Sequence, residues 1–395
     1  MMTRRTARVV SLGRRWDGAQ ELTVELDHTP PDPPPHHTVR ALAYPTLVGD
    51  PHPGDTVLLN TTALDRGLGT GGYALVIAVL PPPDQHHTTP TTQPDTRPSA
   101  GHLVKARYTP HQTMVLGVDE QESPHHHLLR DADTLDNMPV IVADLHSALP
   151  AIIAGARHTA HEHGRPTPRI TYVMTDGGAL PAWFSRTISG LRDAGWLDAC
   201  ITVGQAFGGD LEAVTTHTGL LAAHLITHAD ITIVTQGPGN LGTGTRWGFS
   251  GTTTGETINA TSTLNGHPIA SLRISGADPR PRHHGISHHS LTAYTRVALR
   301  PADIPLPTLA TTPTTFTTTD HDPHHLDTLI HHQATPLTTC PAHHTLIPLD
   351  ATPALAAALE HTPVPLSTMG RGLTQDPAAF LAAALAGTHA ATLLS

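Results

Sequence analysis

The twelve residues from Asp278 to His289 hold one aspartate, two arginines and four histidines, in a chain in which only 14% of residues are charged. Arg280 and Arg282 carry the planar fork that grips a phosphate or carboxylate through two hydrogen bonds. His283 and His288, with Asp176 or Asp278, suit general acid–base work, and their neutral nitrogens equally suit a divalent metal. The spacing matches no established ligand motif, so the identity of any cofactor stays open, with a divalent metal as one possibility. His289 borders the same group. A second segment, Gly237-Pro238-Gly239-Asn240-Leu241-Gly242-Thr243-Gly244-Thr245, has the composition of an anion cradle, because glycines leave backbone N–H groups free to face an anion. Gly237, Gly239, Gly242, Thr243 and Gly244 are its candidate anion-binding positions. It is neither a Walker A loop, lacking Gly-Lys-Ser/Thr, nor a dinucleotide fingerprint, lacking a ribose-binding acid.

These segments need a scaffold that brings them together, and the apolar pattern supplies one. Runs at Val140 to Ala143, Ile170 to Met174, Ala199 to Val203, Ile231 to Thr235 and Pro268 to Ile274 are near-continuously apolar, as strands covered on both faces are. Helical segments near 147–163, 181–194, 210–226 and 253–264 alternate with them, and a further helix follows from about 288. Such alternation predicts a parallel, Rossmann-like α/β sheet of about five strands over 138–300. In open parallel sheets the loops at the carboxyl ends of the strands share one edge, where ligands bind. All five loops there are polar. The remaining ones bring Asp144 with His146 and Ser147, Asp176 within Thr175 to Gly178, and Gln205, Asp210 and Glu212 within Gly204 to Glu212. Taken singly, each has a structural explanation, such as Ser147 and Asp210 as helix caps or glycines as tight turns. Histidine doublets are also frequent, at His36-His37, His86-His87, His324-His325, His331-His332 and His343-His344. What separates the segment from Asp278 to His289 is its arginines, its aspartate and the strand end from which it issues.

Before this domain, Arg8 to Leu12, Glu21 to Leu26, Val39 to Ala43, Thr56 to Asn60 and Tyr73 to Val79 read as short strands between Gly, Pro and Asp turns, which predicts a small β-barrel within residues 1–120. Residues 81–100 are rich in Pro, Thr and His and read as a disordered loop. Residues 301–395 combine a second such stretch with a helix from Asp376 to Ala386 that should pack back on an earlier unit.

The formal charge of −10 argues against nucleic acid as a partner, since phosphate backbones select a basic stripe. No apolar run reaches the roughly 18 residues that span a bilayer, and no signal peptide follows Met1 to Val10, so no membrane partner and a cytoplasmic location are expected. The two cysteines, Cys200 and Cys340, suggest neither a disulfide framework nor a metal knuckle. There is no Gly-x-Ser-x-Gly elbow, and Cys200 lies inside a strand, where a cysteine is ordinarily core.

The chain resembles a family of uncharacterised bacterial proteins, domain of unknown function 3866. The resemblance runs through Gly69-Thr70-Gly71-Gly72-Tyr73, Gly101-His102-Leu103-Val104-Lys105-Ala106-Arg107-Tyr108-Thr109-Pro110, Gly204 to Asp210, Gly237-Pro238-Gly239 with Gly242-Thr243, Asp278 to His289, and Met369-Gly370-Arg371-Gly372. It supplies no substrate, and it draws attention to Gly69 to Tyr73, Arg107 and Arg371 outside the α/β domain. Together these features lead to the expectation of an enzyme of hydrolase or transferase type, acting on a small anionic metabolite such as a phosphorylated one. The alternative is a regulatory protein that binds a nucleotide or metabolite in the same crevice without turnover. The oligomeric state is not legible.

Overall fold

A computed structural model describes residues 2–27, 38–81, 101–309 and 323–394. Two compact units form, one from residues 1–100 with 108–113 and the other from 101–107 with 114–395. In the first, β1 (Arg4–Trp16), β2 (Ala19–Leu26), β3 (Thr38–Ala43), β4 (Thr56–Asn60) and β5 (Ala74–Leu80) close into a barrel in the order β1-β2-β3-β5-β4. Alternation fills it: Leu22, Val24 and Leu26 of β2 point inward with Ala7, Val9, Val57 and Leu59, as a period of two requires. The loop expected at 81–100 lies, apart from Pro81, outside the described residues.

The second unit is built on eight parallel strands. These are β6 (Pro139–Val142), β7 (Ile170–Thr175), β8 (Ala199–Thr202), β9 (Leu211–Glu212), β10 (Ile231–Gln236), β11 (His267–Ala270), β12 (Asp303–Thr308) and β13 (Thr345–Asp350), in the order β9-β8-β7-β10-β6-β11-β12-β13. The five strands expected from the apolar runs are all present, and three more extend the sheet to eight. β9 has two residues, too few to leave an apolar run. β12 reads Asp-Ile-Pro-Leu-Pro-Thr, and proline inside a strand ordinarily argues against one. The sheet tolerates it because Pro305 and Pro307, two apart, remove donors from the same side, and β12 pairs with β11 only at Ile269–Asp303 while pairing with β13 from Asp303 to Thr308. Within 301–345, residues 310–322 lie outside the described residues and most of the rest is regular.

Helices α1 (Leu149–Glu162), α2 (Arg186–Asp193), α3 (Thr216–Leu225), α4 (Thr253–Thr263), α5 (His288–Thr292), α6 (Pro323–Thr339), α7 (Pro353–Glu360) and α8 (Pro377–Thr392) cover the sheet. Ser185 caps α2 by accepting from Ile188 N at 3.1 Å, and Thr215 caps α3 by accepting from Thr218 N at 3.2 Å, each satisfying an end N–H that the helix cannot. The C-terminal helix α8 lies on α1 so closely that a Cβ at Gly155 would stand 1.9 Å from the Ala384 carbonyl oxygen, and one at Gly387 1.8 Å from that of Ile152. Among the described residues no helix is long and apolar enough to cross a membrane.

Strand order decides where the site falls. From β6 the chain runs through β7, β8 and β9 to one side, returns to insert β10, and then builds β11, β12 and β13 on the other side of β6. The loops leaving β6, β10 and β11 therefore diverge around one crevice, the position at which open sheets bind ligands.

Candidate functional site

Asp144, two residues beyond β6, is the centre on which the three loops meet. Its side chain is 3% exposed, and it accepts hydrogen bonds from Arg273 Nη1 at 3.2 Å, His289 Nδ1 at 3.2 Å and Asn240 Nδ2 at 3.1 Å. Its carbonyl accepts from Gln236 Nε2 at 3.0 Å. Burial alone would push this carboxyl up, but the hydrogen bond from His289 and the charge of Arg273 outweigh it and hold the group below its ordinary value. Gly251 leaves the space the carboxylate needs, since a Cβ there would lie 1.8 Å from Asp144 Oδ1.

Three imidazoles cluster beside Asp144. Ring centroids of His283, His288 and His289 are 5.1, 5.0 and 4.4 Å apart, taken pairwise, and each offers a ligand nitrogen within 4.8 Å of the others. Two of the rings, His283 and His289, are held from outside the cluster. His283 Nδ1 lies 2.8 Å from Ser287 Oγ, which also caps α5 by accepting from His289 N at 3.2 Å. His289 stacks on Phe249 with centroids 3.9 Å apart and planes 5° from parallel, and its Nδ1 faces Asp144. Arg273 has only donors, so the 3.2 Å contact between Arg273 Nη1 and His289 Nδ1 reflects two donors sharing one carboxylate. His288 Nε2 is buried and has no hydrogen-bond partner among the described residues. Burial, reinforced by the charge of Arg273, lowers His283 to about 3, and burial with the neighbouring His289 and Arg282 lowers His288 to about 4. Both are neutral at pH 7. The backbone behind them is fixed by Tyr294, whose hydroxyl donates to Ser271 O at 2.9 Å and Val142 O at 3.3 Å from the π-helical turn Ala293–Val297 that continues α5.

The glycine-rich loop after β10 covers this group, and it is a closed hairpin-like turn. Gly237 N donates to Thr175 O at 3.2 Å, Leu241 N to Ser250 Oγ at 3.0 Å and Thr243 N to Gly248 O at 2.7 Å, so those N–H groups are spent within the protein. Gly242 pairs opposite Phe249, and a Cβ on it would lie 4.0 Å from His289 Nε2. A Cβ at Gly244 would lie 3.7 Å from Arg282 Nη2. Gly239 lies in the same loop, with φ +96°. Arg282 is exposed and makes no hydrogen bond or ion pair to another described residue.

The other candidate residues are placed differently. Arg280 is bound to Asp278 through Nε at 2.8 Å and Nη2 at 2.7 Å. That interaction, with Arg371 at 3.3 Å, holds Asp278 far below its ordinary value, so the pair is an ion bridge at the wall of the crevice. Arg371 also reaches Asp376 at 3.1 Å. A cleft lined by Asp144, Arg273, Ser275, Asp278, Arg371 and Asp376 runs beside them. Asp176, at the end of β7, accepts from Gln205 N at 2.8 Å. It stands two strand spacings from β6, about 10 Å. Gln205 accepts from Arg107 N at 3.0 Å, Asp210 ties Arg192 to Cys200 N, and buried Glu212 accepts from Thr202 Oγ1 and Gly208 N, each at 2.7 Å, with Lys105 Nζ at 3.4 Å. Asp176, Gln205 and Glu212 lie on the β7–β9 flank of the same edge, whereas Asp210, expected there from the sequence, precedes β9 level with Cys200, the second residue of β8, and so sits back from the carboxyl edge. Gly69 to Tyr73 belong to the barrel unit.

Four contributors were not singled out by sequence reasoning: Arg273, Asn240, Phe249 and Ser287. Arg273 left a trace, a charge inside the apolar run from Pro268 to Ile274, which ends as strand at Ala270. The others left none, because their roles depend on contacts across loops.

No curated protein and no solved structure matches the chain. A family model, described as protein of unknown function (DUF3866), matches residues 40–387. That span holds every loop of the crevice and, of the barrel, β4, β5 and most of β3, and the chain belongs to this family of proteins of unknown function.

Proposed function

We propose that the crevice around Asp144 is the active site of an enzyme of hydrolase or transferase type that acts on a small anionic metabolite, phosphorylated compounds being the class best suited. The observation that carries this reading is the pairing of three clustered imidazoles, two of them held by partners outside the cluster, with Arg282, an arginine left without an ion pair among the described residues. An unpaired guanidinium beside neutral nitrogens attracts an anion and leaves basic lone pairs next to it. Arg282 would bind the anionic group, with Gly242 and Gly244 giving it room to approach. The imidazole lone pairs would take up a proton or a Lewis acid, and Asp144 would hold His289 in one tautomer. Asp278 and Arg280, bound to each other, would shape the wall and take no proton.

A thermal-shift screen of the full chain against phosphorylated metabolites and nucleotides, repeated with Arg282→Ala, tests this. A ligand at about 100 times its Kd adds ~2.7 kcal/mol of stability. A shift lost in the variant supports the anion site, and turnover of the hit then separates an enzyme from a binding protein. A shift that survives Arg282→Ala would remove Arg282 from the site.

A further inference from the structure

We infer that His283, His288 and His289 form a binding site for one borderline divalent cation of the zinc class. This deepens the reading above and rests on it for the reaction, while the metal site stands on its own geometry. Two of the three imidazoles have one nitrogen engaged outside the cluster, His283 Nδ1 with Ser287 Oγ and His289 Nδ1 with Asp144. The nitrogens left over are their Nε2 atoms. The third, His288 Nε2, is buried without a partner. An imidazole nitrogen left so is costly unless something occupies the space it faces, and the ligand atoms of all three residues fall within 4.8 Å of one another, a span that one ion with nitrogen bonds of about 2.0–2.1 Å can bridge.

The surroundings match what metal-bound histidines require. A carboxylate on the far nitrogen fixes the tautomer and raises ligand basicity, and Asp144 stands in that place for His289 while Ser287 does so for His283. Three neutral nitrogen donors without thiolate favour zinc-class ions over magnesium or calcium, which prefer oxygen. Asp144 and Arg273 cancel in charge, so a bound dication with Arg282 would make the crevice cationic and reinforce selection of an anion. Three protein ligands leave a position open, as catalytic zinc sites do.

The test is titration of chelator-treated full-length protein with Co2+, followed by visible absorption, with Zn2+ displacement to measure affinity. One tight equivalent is expected in the wild type. It should disappear in His288→Ala and weaken roughly 10–100-fold in Asp144→Asn, the variant that keeps all three ligands. His267→Ala, in a different cluster, should leave it intact. Thermal melts establish that each variant is folded, and Ser287→Ala serves if Asp144→Asn is not. Wild type without a tight equivalent, or a folded His288→Ala that binds Co2+ as the wild type does, would overturn the inference. Inorganic phosphate, tested with and without Co2+, separates the two ideas. A phosphate shift dependent on Arg282 with no Co2+ site would leave the anion reading standing alone, and a Co2+ site with no phosphate response would leave the metal site alone.

Discussion

Two histidine clusters occupy opposite edges of the same sheet, and they differ in whether their ligand atoms are spent. At the amino edge, Asp303 lies 2.8 Å from both His267 Nε2 and His389 Nε2. The two imidazoles and the carboxylate satisfy one another, and the hydrogen bonds from His389 and His267 hold Asp303 below its ordinary value although burial opposes this. At the carboxyl edge, His283 and His289 are anchored outward, and His288 Nε2 is buried without a partner among the described residues. Both groups bring three potential ligands within 4.8 Å. Proximity therefore does not distinguish a site from a structural clasp. Unspent lone pairs do, because they are paid for by folding and return nothing until a ligand arrives.

The comparison can be broken most sharply at the two carboxylates. Asp144→Ala leaves the Arg273 charge buried without its partner and should cost about 3–5 kcal/mol. Asp303→Ala removes an acceptor from two partly accessible imidazoles and should cost only about 1–3 kcal/mol, with Co2+ binding unchanged. Urea denaturation of both variants measures the difference.

Acid should act on the two edges in different ranges. His146, on the same loop as Asp144, is lowered to about 4 by burial, between Tyr172 Oη and Ser185 Oγ. Its unfolded form takes up a proton near 6.5 while the folded form does not, so stability should fall as pH drops from 6.5 towards 4, by up to ~3 kcal/mol from this group. Asp303 is shifted down, so its contribution is present above the unfolded value and is lost only as pH falls through the lower folded one. Urea midpoints from pH 7 to 4 should decline in the wild type and less steeply in His146→Gln; parallel slopes would contradict the assignment.

Gly251→Ala touches none of the chemistry, yet its Cβ would meet Asp144 Oδ1 at 1.8 Å. Displacing the carboxylate should cost about 1–3 kcal/mol and weaken Co2+ binding, leaving the amino-edge cluster unaffected. The smallest stability effect belongs to Arg282→Ala. An exposed side chain without a partner among the described residues should change stability by no more than ~0.5 kcal/mol, while any phosphate-induced shift in melting temperature is lost. A large destabilisation would mean that Arg282 is structural.

Much of the scaffold was legible before any contact was known. Apolar runs long enough to be buried on both faces marked five of the eight strands, and the barrel strands were marked by alternation. β9 was too short to carry a pattern, and β12 was hidden by Pro305 and Pro307, whose missing donors matter only where a neighbour needs them. The segment from Asp278 to His289 stood out by charge density alone. Division of labour within it did not: Arg280 and Arg282 are equivalent in sequence, and only the proximity of Asp278 makes one a bridge and leaves the other free.

The sequence by itself determined the parallel α/β unit, the closed barrel and the edge on which polar loops gather, because period and apolar run length follow from backbone geometry. Only the tertiary structure decided that Asp144 is the carboxylate at the centre. Asp144 lies 129 residues from Arg273 and 145 from His289, and such pairing depends on β11 lying beside β6, a fact of strand order that no local pattern encodes. The same holds for His288 Nε2, whose lack of a partner is a property of the space around it.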